Sequence, residues 1–464
     1  MSRAGRRSPK HARPPDQVYR SSFFLLAATV VTSGLGFLFW VVVARFYSPS
    51  QVGLATSLIS ATSLISYLSL FGLNSTLIRF PAAGVSRNGQ ITQSLVVVAA
   101  TSCAVGIGYL AGLPWYGQRL LFVRDHLLLS AAFVVFCACA ALNLLTDSVF
   151  ISARVPQYNV LVDGVLQGLA KLALPALLVG SGVAGILDSV GGGYVVAVLA
   201  SLVLMSRRLG FRFDLLSRGT RLREQLRFSV ASYVSSLLNL APLMVVPLIV
   251  LQQLGAAAAG YYFVAFQIAN LLNSVSYAVS EAVFAEVSYD PSRFGVLLRR
   301  SVVIIIGVQI PAAATVAFGS GLLLTLFGGG YATQAHPLLQ VFAMGALAVA
   351  LNTWAGYILK LVRLMRALIL SNVVYAVVTI ALSVLWAPHG LVWLGWAWAA
   401  GNVASGLVAL VALVTRRRRR TAPAPEQPTA LDQPTLQLAV VWDTSDPDRP
   451  WARSPLQPWG EATE

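Results

Sequence analysis

The chain has 464 residues, of which 57% are hydrophobic and only 11% charged, with a formal net charge of +16. About 25% charged is usual for a soluble domain, and so few charges cannot cover a water-facing surface of this size. An ordinary soluble enzyme is thereby excluded, and lipid is the alternative solvent. The basic excess does not mark a nucleic-acid binder, because the basic residues fall in short clusters between long apolar runs.

Residues 1–21 form a basic arm with six Lys or Arg. Twelve stretches then reach the roughly 20 apolar residues that a transmembrane helix needs. They are 22–44, 52–72, 91–111, 127–147, 160–180, 184–205, 229–252, 258–282, 301–327, 335–358, 367–387 and 390–414. The first is too long for a cleaved signal peptide and reads as a retained helix. With the N-terminus inside, 29 basic residues fall on cytoplasmic segments and only Arg45, Arg119 and Arg124 on external loops. That asymmetry supports both the helix count and a plasma-membrane topology with both termini cytoplasmic.

The expected organisation is a six-helix lobe over 22–205, a basic cytoplasmic linker over 206–228 with seven Arg, and a second six-helix lobe over 229–415. The linker and the other basic clusters suit anionic membrane lipids. Residues 416–464 begin with five consecutive Arg and continue as a Pro-rich, acidic segment, expected to be a disordered cytoplasmic tail. The fold class is therefore all-α and polytopic. Shifting the first half by 207 residues places all six helix starts within about three residues of those in the second half, and Gly53 falls on Gly260. An even number of helices per repeat relates the lobes by an axis along the membrane normal, as in alternating-access transporters.

Polar stripes mark candidate cleft residues. In the eighth span Gln267, Asn270, Ser274, Tyr277 and Glu281 recur at spacings of 3, 4, 3 and 4 with Asn273 beside them, so they share one face. The same shift gives Ser60, Ser63, Tyr67, Leu70 and Asn74 in and after the second span. The seventh span carries Ser229, Ser232, Ser236 and Asn239, matched by Ser22, Leu25, Thr29 and Thr32 in the first. Such faces either line a cavity or bond neighbouring helices.

Lys171 lies mid-span, about 15 Å from either interface, and a cation there costs roughly 2.5–3.5 kcal/mol on insertion scales. It meets either an anionic substrate group or an acid on a neighbouring helix. Glu281 and Asp163 are candidates for proton or Na⁺ coupling, with Asp147 and Asp188 behind them. Arg45 and Arg79 close the first two spans and are candidates for substrate contact. Cys103, Cys137 and Cys139 lie in apolar runs without disulfide or zinc spacing. The four His form no metal motif and no phosphate-binding G-x-x-x-x-G-K-[ST] loop occurs. No cofactor and no enzymatic activity are expected.

The segment ARFYSPSQVG (44–53) resembles the oligosaccharide flippases of polysaccharide biosynthesis, through Ala44, Arg45 and Gly53. FGLNSTLIRFPA adds Gly72, Leu73 and Arg79, and LGAAAAGYYFVAFQIANLL (254–272) and LFGGGYATQAHPLLQVFA (326–343) are similar to the family as well. The resemblance spans about 20–415. It implies a multidrug-extrusion-like fold with the first, second, seventh and eighth helices at a central cleft. It also implies an undecaprenyl-pyrophosphate-linked oligosaccharide as substrate, with glycosyltransferases and a glycan polymerase as partners. The first span has no Arg before Arg45, unlike lipid II flippases, which favours a capsule or exopolysaccharide repeat unit over a peptidoglycan precursor. A cation-coupled drug exporter on the same fold is the alternative, and a lipid-binding scaffold is the non-transport one.

Overall fold

The computed structural model describes residues 34–79, 85–153, 155–214, 222–289 and 294–421, and among these every regular element is helical. The long helices are α1 (Gly34–Phe46), α2 (Pro49–Ser69), α3 (Val85–Tyr116), α4 (Leu127–Ser152) and α5 (Gln157–Leu177). There follow α6 (Val183–Leu209), α7 (Leu222–Leu254), α8 (Ala256–Tyr289), α9 (Phe294–Thr325), α10 (His336–Leu361), α11 (Met365–Trp386) and α12 (Leu391–Thr421). From Thr415 the chain forms a separate unit, of which the helical residues up to Thr421 are described.

Ten helices among the described residues are long and apolar enough to cross a membrane. The other two expected spans are α1, described only from Gly34, and α8. The 34-residue α8 is long enough, but Gln267, Asn270 and Asn273 lower its hydropathy. Several helices overrun their expected limits. The third span, expected at 91–111, is a 32-residue helix, and part of the expected 73–90 loop is helical as Leu73–Arg79. Hydropathy marks only the lipid-length part of a helix, whereas backbone hydrogen bonding continues into the polar ends.

The 207-residue repeat holds in three dimensions. The starts of α2 to α6 map onto 256, 292, 334, 364 and 390, and α8 to α12 begin at 256, 294, 336, 365 and 391. One element breaks it. Residues Val160–Gln167 of α5 form a π-helix, while the equivalent part of α11 is regular α-helix. Single π turns are rare and concentrate at functional positions.

Local sequence sets the entry to α2. Ser48 Oγ accepts from the Gln51 N–H at 3.3 Å, and Gln51 Oε1 accepts from the Ser48 N–H at 2.9 Å. This capping box, with Pro49 at the first helical position, satisfies donors that a helix start leaves free. Among those ten helices α2 is the most buried, at 67%, and α9 the least, at 17%, so α2 lies centrally and α9 faces lipid. α2 packs on α7 and α8 from the other half. The shared core joins Leu58, Ala61 and Ile65 of α2 to Val246, Val250 and Phe266. Beyond it, Tyr262, Phe266, Phe342 and Trp398 interlock with ring centroids 5.2–5.8 Å apart.

Candidate functional site

Two cavities lie along α7. The first, about 330 Å³, sits between the lobes. It is lined by Leu35, Gly36, Phe39 and Trp40 of α1, Ile59, Ser60 and Ser63 of α2, and Gly168 and Lys171 of α5. Val190 and Tyr194 of α6, Leu243, Met244 and Pro247 of α7, and Phe263, Phe266 and Gln267 of α8 complete it. Four residues expected from sequence thus converge here: Ser60, Ser63, Lys171 and Gln267.

Lys171 is held by its neighbours on α6. Its aliphatic stem crosses Gly193, where an added Cβ would stand 2.7 Å from Lys171 Cγ and 2.8 Å from Cε. Its ammonium sits 4.5 Å from the centroid of the Tyr194 ring, a cation–π contact that offsets part of the cost of burying charge. Asp163, on the same helix and not on a neighbouring one as expected, is the charge acting on it electrostatically. Asp163 Oδ1 accepts from Asn143 Nδ2 at 2.9 Å, and the Asp163 side chain meets that of Asp147 on α4. Asp147 Oδ1 is otherwise buried without a hydrogen-bond partner. An acid pair and one lysine therefore cluster in the first lobe, on and beside the π segment.

The second cavity, about 410 Å³, lies within the second lobe. Its lining includes Ser235, Ser236, Asn239, Leu240 and Leu243 of α7, Tyr277 of α8, and Asn352, Thr353, Tyr357 and Lys360 of α10. Asn372 and Tyr375 of α11 and Asn402 of α12 close it. Asn239 and Tyr277 were expected at a cleft. Asn352, Asn372 and Asn402 were not singled out, although Asn372 and Asn402 are each the lone amide of an apolar span. Their order is fixed by hydrogen bonds: Asn352 Nδ2 to Asn402 Oδ1 at 3.0 Å, Ser405 Oγ to Asn352 Oδ1 at 2.8 Å, and Asn372 Nδ2 to Ser235 Oγ at 2.9 Å.

Other expected residues lie elsewhere. Tyr67 and Asn270 are partly buried and line neither cavity. Asn74 is on the short helix after α2, with Oδ1 buried and unpartnered. Arg79 ends that helix and Glu281 lies on α8, but the side chains of both fall outside the described residues, as do those of Ser229 and Ser232 and all of Ser22, Leu25, Thr29 and Thr32. Arg45 lines neither cavity. Its Nε and Nη2 donate to the carbonyls of Leu326 at 2.7 Å and Thr325 at 2.8 Å, so it caps the C-terminus of α9 across the two halves.

The lobes are tied at both ends of the cavities. At the Arg45 end, α2 and α8 cross at Gly53 and Gly260. A Cβ on Gly53 would overlap the Ala256 carbonyl oxygen, and one on Gly260 the Pro49 carbonyl oxygen. Toward the other end of α2, Tyr233 Oη of α7 donates to the carbonyls of Leu68 at 2.8 Å and Tyr67 at 3.0 Å.

Two pseudo-symmetric helical lobes about a central cavity make a fold that this chain shares with solved structures. The chain aligns with lipid II flippase MurJ in an inward closed conformation at TM-score 0.70 and 11% identity, over 84% of this chain and 87% of that one. An inward-facing multidrug resistance MATE family transporter gives 0.65 and 13%, over 84% and 96%. A MOP superfamily transporter from Pyrococcus furiosus gives 0.54 and 14%, over 84% and 92%. The family described as "Polysaccharide biosynthesis protein" matches residues 18–284, more than half of the sequence. The chain belongs to that family and is a multi-pass membrane protein. No curated protein matches it.

Proposed function

We propose that the protein is a transporter that turns an undecaprenyl-pyrophosphate-linked oligosaccharide from the cytoplasmic to the outer leaflet of a bacterial plasma membrane, with both termini cytoplasmic. The observation that carries this reading is Lys171, one fixed cation on the wall of an otherwise neutral and aromatic cavity between the lobes. An ammonium at that position suits a pyrophosphate, which needs a cation and no apolar enclosure. Ser60, Ser63 and Gln267 offer hydrogen bonds beside it. The polyprenyl chain stays in the bilayer. The basic loops suit anionic lipid on the cytoplasmic face. The protein acts as a carrier and not as an enzyme, served by glycosyltransferases and a glycan polymerase.

Proton coupling is assigned to Asp147 and Asp163. Ionisable side chains inside a membrane-spanning bundle are rare and mark ion pathways. Lys171 responds to the charge of Asp163. Loading the pyrophosphate and ion binding at the acids are then linked through one ammonium.

Deletion of the gene and complementation tests the reading. Loss of surface polysaccharide, restored by the wild-type gene and not by Lys171→Gln, is expected. Normal polysaccharide in the deletion, with increased sensitivity to cationic drugs, would favour a drug exporter.

A further inference from the structure

The two lobes share a scaffold but not a chemistry. Shifting Asp147, Asp163 and Lys171 by 207 residues gives Trp354, Leu370 and Val378, and shifting Asn352, Asn372 and Asn402 back gives Leu145, Val165 and Val195. The acid–lysine cluster belongs to the first lobe alone and the amide cluster to the second alone, where the lining also holds one cation, Lys360, over the Tyr357 ring. We propose that the substrate is divided accordingly, with sugar rings received in the second-lobe cavity while the pyrophosphate is held at Lys171; this rests on the function proposed above. The second-lobe lining fits polyols. Its amides and hydroxyls both donate and accept, as a sugar hydroxyl does, and Tyr277, Tyr357 and Tyr375 supply aromatic faces. A metal cation would require carboxylates, and among its described lining residues there is none. The back wall is held in place by the Asn352–Asn402–Ser405 bonds, whereas Ser236, Asn239 and Tyr277 are exposed in front of it.

Leu243 lines both cavities. Pro247 stands four residues later inside the same helix, so the Leu243 carbonyl loses its usual N–H donor. A chain of sugars passing from one cavity to the other meets a backbone acceptor at that point.

The test uses full-length protein in lipid nanodiscs. The probes are sugar-free undecaprenyl pyrophosphate and a panel of undecaprenyl-pyrophosphate-linked bacterial oligosaccharides. At least one glycan is expected to bind wild type about tenfold more tightly than the sugar-free lipid. Asn239→Leu/Tyr277→Phe should bind every member like the sugar-free lipid, and the milder Ser236→Ala should lose part of the gain. Lys171→Gln should weaken all members together. A wild type that gains nothing from any glycan, or a folded double variant that keeps the gain, overturns the division of the substrate. Failure of wild type to bind the sugar-free lipid overturns the flippase reading instead.

Discussion

Gly53 and Gly260 stand 207 residues apart in the chain and touch one another where α2 crosses α8. A Cβ on Gly53 would lie 2.7 Å from the Gly260 nitrogen, and one on Gly260 would lie 3.3 Å from the Gly53 nitrogen. Equivalent residues of two repeats can meet only near the axis that relates them. The contact therefore marks the pseudo-twofold axis at one end of the two lobes, and it brings backbone against backbone.

Gly53→Ala is expected to disfavour this closed arrangement. Overpacking of this kind costs about 1–3 kcal/mol, which is a shift of about fivefold to more than a hundredfold in population. Spin labels at the loop ends of α1 and α9 should report a longer distance, and Gly260→Ala should act in the same direction.

Arg45 and Tyr233 tie the lobes at the two ends of α2. In alternating access the ties cannot both persist. Arg45→Ala loses two charge-assisted bonds, each contributing about 1.5–3 kcal/mol, and should expose the cavity at its own end. Tyr233→Phe should expose the opposite end, with a smaller effect. Thiol labelling of Ser63→Cys from each side of the membrane measures both. Labelling that rises on the same side for the two variants would refute the assignment of the ties to opposite gates.

Much of this was legible in the sequence. Twelve apolar runs and one repeat length defined the helices, because lipid imposes a fixed span on every one. The polar stripes named Ser60, Ser63, Asn239, Gln267 and Tyr277, which line the two cavities, since a hydrophilic helix face in lipid must turn inward. The stripe rule also named Asn270, which lines neither cavity, because a shared helix face does not say where along its length a cavity opens. Arg45 shows a second limit. Its position at a helix end is visible in sequence, but the α9 carbonyls that hold it lie about 280 residues away. The meeting of Asp147 and Asp163 depends on how α4 lies beside α5, which no pattern of residues announces.

Gly193 should be as sensitive as Lys171 itself. An alanine there meets the lysine stem at Cγ and Cε, and it displaces the ammonium from Tyr194. Gly193→Ala is expected to reduce transport several-fold while the protein remains folded. Tyr194→Leu, which removes a contact of about 0.5–2 kcal/mol, should do so less severely.

Coupling through the acid pair has its own signature. Asp163→Asn removes one carboxyl from the pair and the charge that acts on Lys171. Transport driven by a pH gradient should fall to the rate seen without a gradient, whereas binding of undecaprenyl pyrophosphate should persist. Asp147→Asn should behave alike. A gradient response that survives in both variants would place the coupling site elsewhere.

The most direct measurement is translocation in proteoliposomes. Undecaprenyl-pyrophosphate-linked oligosaccharide is placed in the leaflet that corresponds to the cytoplasmic face, and its arrival in the other leaflet is read by accessibility to a glycosidase. Wild-type protein is expected to expose the glycan well above the rate of protein-free vesicles, and Lys171→Gln to return it to that background. Equal exposure with wild type, Lys171→Gln and no protein would contradict transport through the interlobe cavity.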